Sequence, residues 1–309
     1  MEKQMMRIVF GQTLAELGNE NNNLAVLDAD VSSSTQTIIF ADLHPERFFN
    51  FGIAEANMVS AAAGMSTAGF IPVVSTFAFL LAFRTGDAVR SLIAYNNLNV
   101  KIAGGYAGLS DFADGASHQA VCDLAVMRAL PNMTVLVPSD IETTRWAVRA
   151  MIEHNGPVYL RLSRDTVGNL HGRKFKFKIG KANVLREGED ICIAVCGTPL
   201  KAALDAADRL KKEGIGAAVV EFPTIKPFDK QTMIKYASKT GRVITVEEHS
   251  IIGGLGDAVA DCLACEGNAK LRKIGIEDTF GESGNYNLLL EKHGICSENI
   301  INQAVNLLK

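Results

Sequence analysis

What the sequence lacks narrows it first. It has no excess of positive charge: 31 Lys and Arg stand against 34 Asp and Glu, the formal net charge is -3, and no basic stripe is present. That balance argues against nucleic-acid or membrane-surface attraction as an organising function. No apolar run is long enough to span a bilayer, and the start, Met1-Glu2-Lys3-Gln4-Met5-Met6-Arg7, carries no signal-peptide core. Cysteine is sparse and scattered (Cys122, Cys192, Cys196, Cys262, Cys265 and Cys296), which predicts unpaired, buried thiols in a cytoplasmic protein. Cys262 and Cys265 have metal-pair spacing but no second pair and no histidine at zinc spacing. They read as helix packing, and no metal site is expected on this chain.

What is present is enough for a sizeable core: 309 residues, 48% of them hydrophobic. Short apolar runs alternate with amphipathic stretches, the pattern of parallel sheets flanked by helices. The expected architecture is α/β in two domains, each a largely parallel sheet between helices. The boundaries expected are 1–165 for the first domain, 166–189 for a linker and 190–309 for the second. In the first domain the pattern predicts a helix over 7–20 stopped by Gly18 and strands at 24–27, 48–53, 70–76, 100–104, 134–137 and 158–164. A long helix should open at Phe77 and end near Tyr95. The linker includes Gly168, a solvated basic run from His171 to Lys178, then Gly180 and a hairpin. In the second domain strands are expected at 191–195, 217–222, 242–246 and 271–276. Gly253-Gly254-Leu255-Gly256, with Glu277 beyond it, imitates a dinucleotide fingerprint, but the glycine spacing is wrong. It reads as a tight turn with close helix packing.

One stretch organises the chain: Phe51-Gly52-Ile53-Ala54-Glu55-Ala56-Asn57-Met58, followed by a helix faced with Ala, Ser and Gly. Glu55 falls in the first turn of that helix, where the macrodipole favours negative charge, and most first-turn glutamates do no more than exploit this. The stretch resembles the glutamate motif of the pyrimidine-binding domain of thiamine diphosphate enzymes, in the transketolase style. The resemblance implies that Glu55 hydrogen-bonds the aminopyrimidine ring of thiamine diphosphate and favours its imino tautomer. Other segments agree. Asp114-Gly115-Ala116-Ser117-His118-Gln119 resembles the transketolase Asp-Gly-x-Thr-His-Gln segment. There the Asp and His hold sugar hydroxyls and the His assists proton movement, a task that suits imidazole. Thr76-Phe77 matches the start of the aromatic motif that stacks on the pyrimidine. Leu80 takes the place of its second ring, which leaves Phe79 or Phe83 as the candidate replacement. Ser34 and Arg164 match residues that hold the substrate phosphate, whereas Tyr106 replaces a histidine at that end and Phe112-Ala113 replace Gly-Glu. Arg161 reads as an edge-strand arginine in water, and His249 as a structural residue.

The resemblance covers nearly the whole chain but only half of an enzyme. No Gly-Asp-Gly occurs, and thiamine enzymes use that motif to hold the diphosphate through Mg²⁺. It implies the C-terminal half of a split transketolase, with a pyrimidine-binding domain and a transketolase C-terminal-like domain. The partner would be an N-terminal, diphosphate-binding subunit carrying the magnesium ligands, two of each chain assembling together. The expected reaction is transfer of a two-carbon ketol unit from a ketose phosphate to an aldose. The altered anion end also admits 6-deoxy-6-sulfofructose or apulose 4-phosphate as the sugar. A non-catalytic regulatory subunit would not need to keep Glu55, Asp114 and His118, all of which are present.

Overall fold

The computed structural model describes residues 3–171, 175, 177–266 and 268–309. Its first sheet has seven strands, in the order Thr224–Lys226, Thr134–Leu136, Val158–Arg161, Lys101–Gly105, Ile71–Phe77, Leu24–Asp28 and Phe48–Asn50. All neighbours run parallel except Thr224–Lys226, which lies antiparallel to Thr134–Leu136. Leu24–Asp28 and Lys101–Gly105 are buried at every residue, as strands covered on both faces must be. Helices Met6–Glu20 and Ile141–Glu153 cover one face. The helix Glu55–Thr67, the helical segments between Leu80 and Ala94, and Asp123–Ala129 cover the other.

The second sheet has five strands, in the order Lys270–Ile276, Arg242–Ser250, Ile191–Val195, Ala217–Glu221 and Asn183–Arg186. The first four are parallel and the last is antiparallel at the edge. The two halves are not insulated from each other. One apolar cluster runs from Leu27, Met58 and Val74 through Val135 and Tyr159 to Ala194, Val220 and Tyr236. The edge strand Thr224–Lys226 crosses from the second half into the first sheet.

Several expectations need correcting. The described residues of 166–189 form no hairpin among themselves. Thr166–Val167 pairs with Gln4–Met5, and Asn183–Arg186 completes the second sheet. Of the basic run, residues 172–174 and 176 lie outside the described residues. His171 is buried rather than solvated: Nδ1 lies 2.9 Å from Asp140 Oδ2 and Nε2 2.7 Å from Glu221 Oε2. Gly18 does not stop its helix, which runs on to Glu20. A side chain at 18 would meet the His44 ring at 2.5 Å, so the glycine is there for close packing. Phe77 ends a strand instead of opening a helix. The segment after it winds in π turns, with i→i−5 bonds from Thr85 N to Leu80 O and from Tyr95 N to Arg90 O. The six cysteines are free, but Cys265 is exposed.

Candidate active site

The candidate residues gather beyond the C-terminal ends of the central strands of the first sheet, the place where open α/β sheets bind ligands. Asp28 ends its strand and organises the loop that follows. Its Oδ1 accepts from Val31 N (2.7 Å), and its Oδ2 accepts from Thr35 and Thr37 hydroxyls (2.9 and 2.8 Å). Burial raises its pKa, and these donors oppose the rise. The loop so held winds into a helical turn, Ser32–Thr35, which presents Ser34.

Ser34 is joined to the other candidate residues by one that the motif reading missed. Arg7, near the start of the first helix, donates from Nη1 to the Ser34 carbonyl (2.9 Å) and to the Tyr106 hydroxyl (2.7 Å). Its Nε is buried and has no hydrogen-bond partner among the described residues. The Tyr106 ring, only 5% exposed, stands between two guanidiniums. Arg7 is 5.6 Å from its centroid and Arg164 5.0 Å. Tyr106 adopts φ 59°, a left-handed conformation that a bulky residue adopts only when its surroundings impose it. Arg164 also lies 5.1 Å from the Phe112 centroid and donates to Asp111 Oδ1 (3.1 Å), with Asp114 Oδ2 at 3.9 Å.

The same cluster continues to Phe77, whose ring packs 4.8 Å from Tyr106 and 6.2 Å from His118. Phe79 packs 5.2 Å from His118. Ser34, Phe77, Phe79, Tyr106, Asp114, His118 and Arg164 therefore form one connected wall. Phe83 stands apart, 54% exposed. Glu55 is buried, with 3% exposure, in the first turn of its helix. Both its oxygens accept from Arg84 Nη1 at 3.2 Å, and Arg84 lies on the π turn that follows Phe79. Nothing in the motif pointed to Arg84. Its position facing Glu55 depends on the π turn.

The loop 105–119 that carries Tyr106, Asp114 and His118 is braced from the second half. Glu248 accepts from Leu109 N (2.7 Å) and from the Tyr286 hydroxyl (2.6 Å). Gln119 donates to Glu282 O, and Gly284 N to Phe112 O. Arg161 is buried, not in water. It grips Asp123 through Nε (2.8 Å) and Nη2 (3.1 Å) and reaches the carbonyls of Ala120 and Glu248. The guanidinium holds the Asp123 carboxyl below its ordinary range against the cost of burial. His249 is fully buried, with Nδ1 at 2.7 Å from Ser250 O and Nε2 accepting from Ala125 N at 3.4 Å. Burial pushes its pKa down to about 4. Glu247 takes the N–H groups of Leu255 and Gly256 at 2.7 Å each, so a carboxylate of the chain itself already fills the helix start beside the glycines.

Residues 2–169 match the family model described as transketolase, pyrimidine binding domain, and residues 180–300 the one described as transketolase, C-terminal domain. The chain belongs to the transketolase family. It is 45% identical to a putative transketolase C-terminal section of Methanocaldococcus jannaschii, over 98% of this chain and 96% of that one. It is 37% identical to a 6-deoxy-6-sulfo-D-fructose transketolase subunit of Clostridium sp., over 98% and 94%. A split-gene transketolase solved as an inactive β4 tetramer superposes with a TM-score of 0.92 at 46% identity, covering 98% of both chains. This transketolase chain thus corresponds along its length to a C-terminal section, the pyrimidine-binding and C-terminal domains without a diphosphate half.

Proposed function

We propose that this chain is the C-terminal subunit of a split transketolase and, with an N-terminal diphosphate-binding subunit, moves a two-carbon ketol unit from a ketose phosphate to an aldose. The observation that carries the reading is Glu55. It is a buried carboxyl at a helix start, and its one side-chain partner among the described residues, Arg84, is half exposed on a long stem and free to turn away. Phe77 and Phe79 provide flat apolar surface in the adjoining wall, and the buried hydroxyl of the neighbouring Thr76 has no hydrogen-bond partner among the described residues. These features fit the aminopyrimidine end of thiamine diphosphate. When bound, that cofactor supplies the nucleophilic thiazolium carbon that takes up and hands over the two-carbon unit.

The chain's own residues do the rest. Glu55 would hold the pyrimidine nitrogen by a hydrogen bond. Phe77, Phe79 and Phe83 are the candidate stacking rings. Asp114 and His118 bind sugar hydroxyls, and His118 moves a proton to or from the reacting oxygen. Ser34, Arg7 and Arg164, with Tyr106 between the two arginines, hold the anion at the far end of the sugar. The magnesium ligands belong to the partner. Ile53 (80% exposed) two residues before Glu55, Phe83 (54%) beside Arg84 and Tyr95 (82%) at the end of Val89–Ala94 are exposed apolar side chains suited to a subunit contact. Two of each chain would then close the site, in the cytoplasm, where unpaired cysteines persist.

The anion end also favours a second substrate reading. Two arginines and a phenol, with no histidine, suit an anion of fixed charge, and a relative named for 6-deoxy-6-sulfo-D-fructose is 37% identical. Apulose 4-phosphate would fit the same two arginines.

The test is reconstitution with the N-terminal subunit, thiamine diphosphate and Mg²⁺, followed by single-turnover consumption of xylulose 5-phosphate and of a sulfonated ketose. Glu55→Gln should lower turnover by about 10²–10⁴-fold while the complex still co-elutes. Unchanged turnover in that variant would sink the mechanism. An inactive wild-type complex would favour a regulatory subunit.

A further inference from the structure

Arg164 is not free to face a ligand alone. Its Nη1 donates to Asp111 Oδ1 at 3.1 Å, and the same nitrogen is 3.9 Å from Asp114 Oδ2. Tyr106 and Phe112 flank the guanidinium at 5.0 and 5.1 Å. The Asp111 side chain is completely buried, and its second oxygen, Oδ2, has no hydrogen-bond partner among the described residues. A carboxylate with one oxygen unsatisfied in a dry wall is costly to keep ionised. Nothing in the family resemblance marks this residue.

We propose that Asp111 is a specificity-determining residue whose carboxyl competes with the distal anion of the substrate for the Arg164 guanidinium. The inference rests on the functional reading above and deepens it at the anion end. Three charges meet at this point: Arg164 from the end of its strand, and Asp111 and Asp114 from one loop. Burial first, and then the neighbouring Asp114, push the Asp111 pKa up to about 7, against the pull of Arg164. The other groups packed on this loop are already committed. Glu282 is half exposed and paired with Lys292, the Tyr286 hydroxyl donates to Glu248, and the His118 ring faces Phe77 and Phe79. With both carboxyls ionised, Arg164 is overmatched and an incoming anion is repelled. With one proton on the pair, Arg164 regains an unbalanced charge and the anion binds. Binding an anion therefore takes up a proton, and by linkage anion affinity falls as the pH rises past neutrality.

The experiment uses the reconstituted complex and 6-deoxy-6-sulfofructose, whose sulfonate keeps a single charge between pH 6.5 and 8.5, an interval set around the neutral range in which a histidine-like group titrates on the order of one unit either way. Erythrulose serves as the uncharged ketose. The readout is the ratio of the two KM values. In the wild type this ratio should climb with pH. In Asp111→Asn, which keeps an acceptor for Arg164 but not the charge, it should be flat and about three- to tenfold lower at the upper end. Asp111→Leu, which removes the acceptor as well, should raise the ratio at all pH values because Arg164 loses its orientation. The same pH slope in wild type and Asp111→Asn, or a higher ratio in Asp111→Asn, overturns the proposal. If the complex turns over no ketose, the functional reading fails, and the inference is decided on the full chain alone. There, ¹³C-carboxyl NMR should show an aspartate that titrates near neutrality, moves upward on adding sulfate and vanishes in Asp111→Asn. Absence of that resonance, or indifference to sulfate, overturns it.

Discussion

Tyr106 shows how much of this site is decided by single residues held in unusual places. Its backbone is left-handed, its ring is buried, and its hydroxyl fixes Arg7 at 2.7 Å. The motif comparison registers the position as a lost histidine. The structure shows a cation still at that end, supplied by Arg7 from 27 residues before Ser34 and 99 before Tyr106. Arg7 and Arg164 both lie over the Tyr106 ring, so the proposed anion end has two guanidiniums. Arg7→Leu removes one of them together with a charge-assisted hydrogen bond, which contributes about 1.5–3 kcal/mol. The KM for a phosphorylated ketose should rise about ten- to a hundredfold relative to that for erythrulose. Equal increases for both sugars would mean that Arg7 only props the loop. Arg161 teaches the converse lesson. Val158-Tyr159-Leu160-Arg161 has no feature that says its arginine is inside, yet Asp123, 38 positions earlier, accepts from both its Nε and its Nη2. Removing one member of such a buried pair costs about 3–5 kcal/mol, because the other is left uncompensated.

At the scale of elements, the helix Glu55–Thr67 was legible because its first-turn carboxylate and small-residue face leave a local trace. The π turns between Leu80 and Ala94 were not, since an i→i−5 bond has no sequence period of its own over so few residues. Yet those turns place Arg84 on Glu55. The connection between the halves was misread for a similar reason. His171 belongs to a run that looks solvated, but Asp140, the cap of helix Ile141–Glu153, and Glu221, the end of a strand in the second sheet, close on it from both sides. The Ser139 hydroxyl donates to the same Glu221. Those two carboxylates raise the His171 pKa from 6.5 to about 10, overcoming burial. The raised value fixes the sign: the clamp contributes its full stability below the unfolded pKa of 6.5 and loses it as the pH climbs through about 10. The urea midpoint should fall between those limits, and His171→Gln should be less stable at neutral pH and nearly insensitive over the same interval. A variant that keeps the wild-type slope would show that some other group is titrating.

The whole molecule is more united than two domains and a linker. An apolar cluster common to both sheets, an edge strand lent by the second half to the first, and the Arg161–Asp123–Glu248 network all cross the junction. The second half therefore sets the shape of the loop 105–119, through Glu248, Glu282 and Gly284, although it supplies none of the proposed substrate contacts. The two family models that match this chain are the pyrimidine-binding and C-terminal domains. Calorimetry should accordingly find thiamine diphosphate with Mg²⁺ binding far more weakly to this chain alone than to its mixture with the N-terminal subunit, and sedimentation should show a complex of two of each chain. Equal affinity with and without the partner would refute the split-enzyme reading. A relative solved as an inactive β4 tetramer makes self-association of the lone chain a state to measure in the same runs.

By itself the sequence determined the class of fold, the order of most strands and helices, the family, and the local motifs around Glu55, Phe77, Asp114 and His118. These are short-range properties: hydrophobic period, cap residues and contiguous signatures survive in the linear order. Tertiary structure alone decided which charges face each other. Arg84 on Glu55, Arg7 on Tyr106, Asp111 on Arg164 and His171 between two carboxylates join residues 29, 99, 53, 31 and 50 positions apart. Coulombic pairing depends on distance in space and on burial, and neither is written in the spacing of residues along the chain.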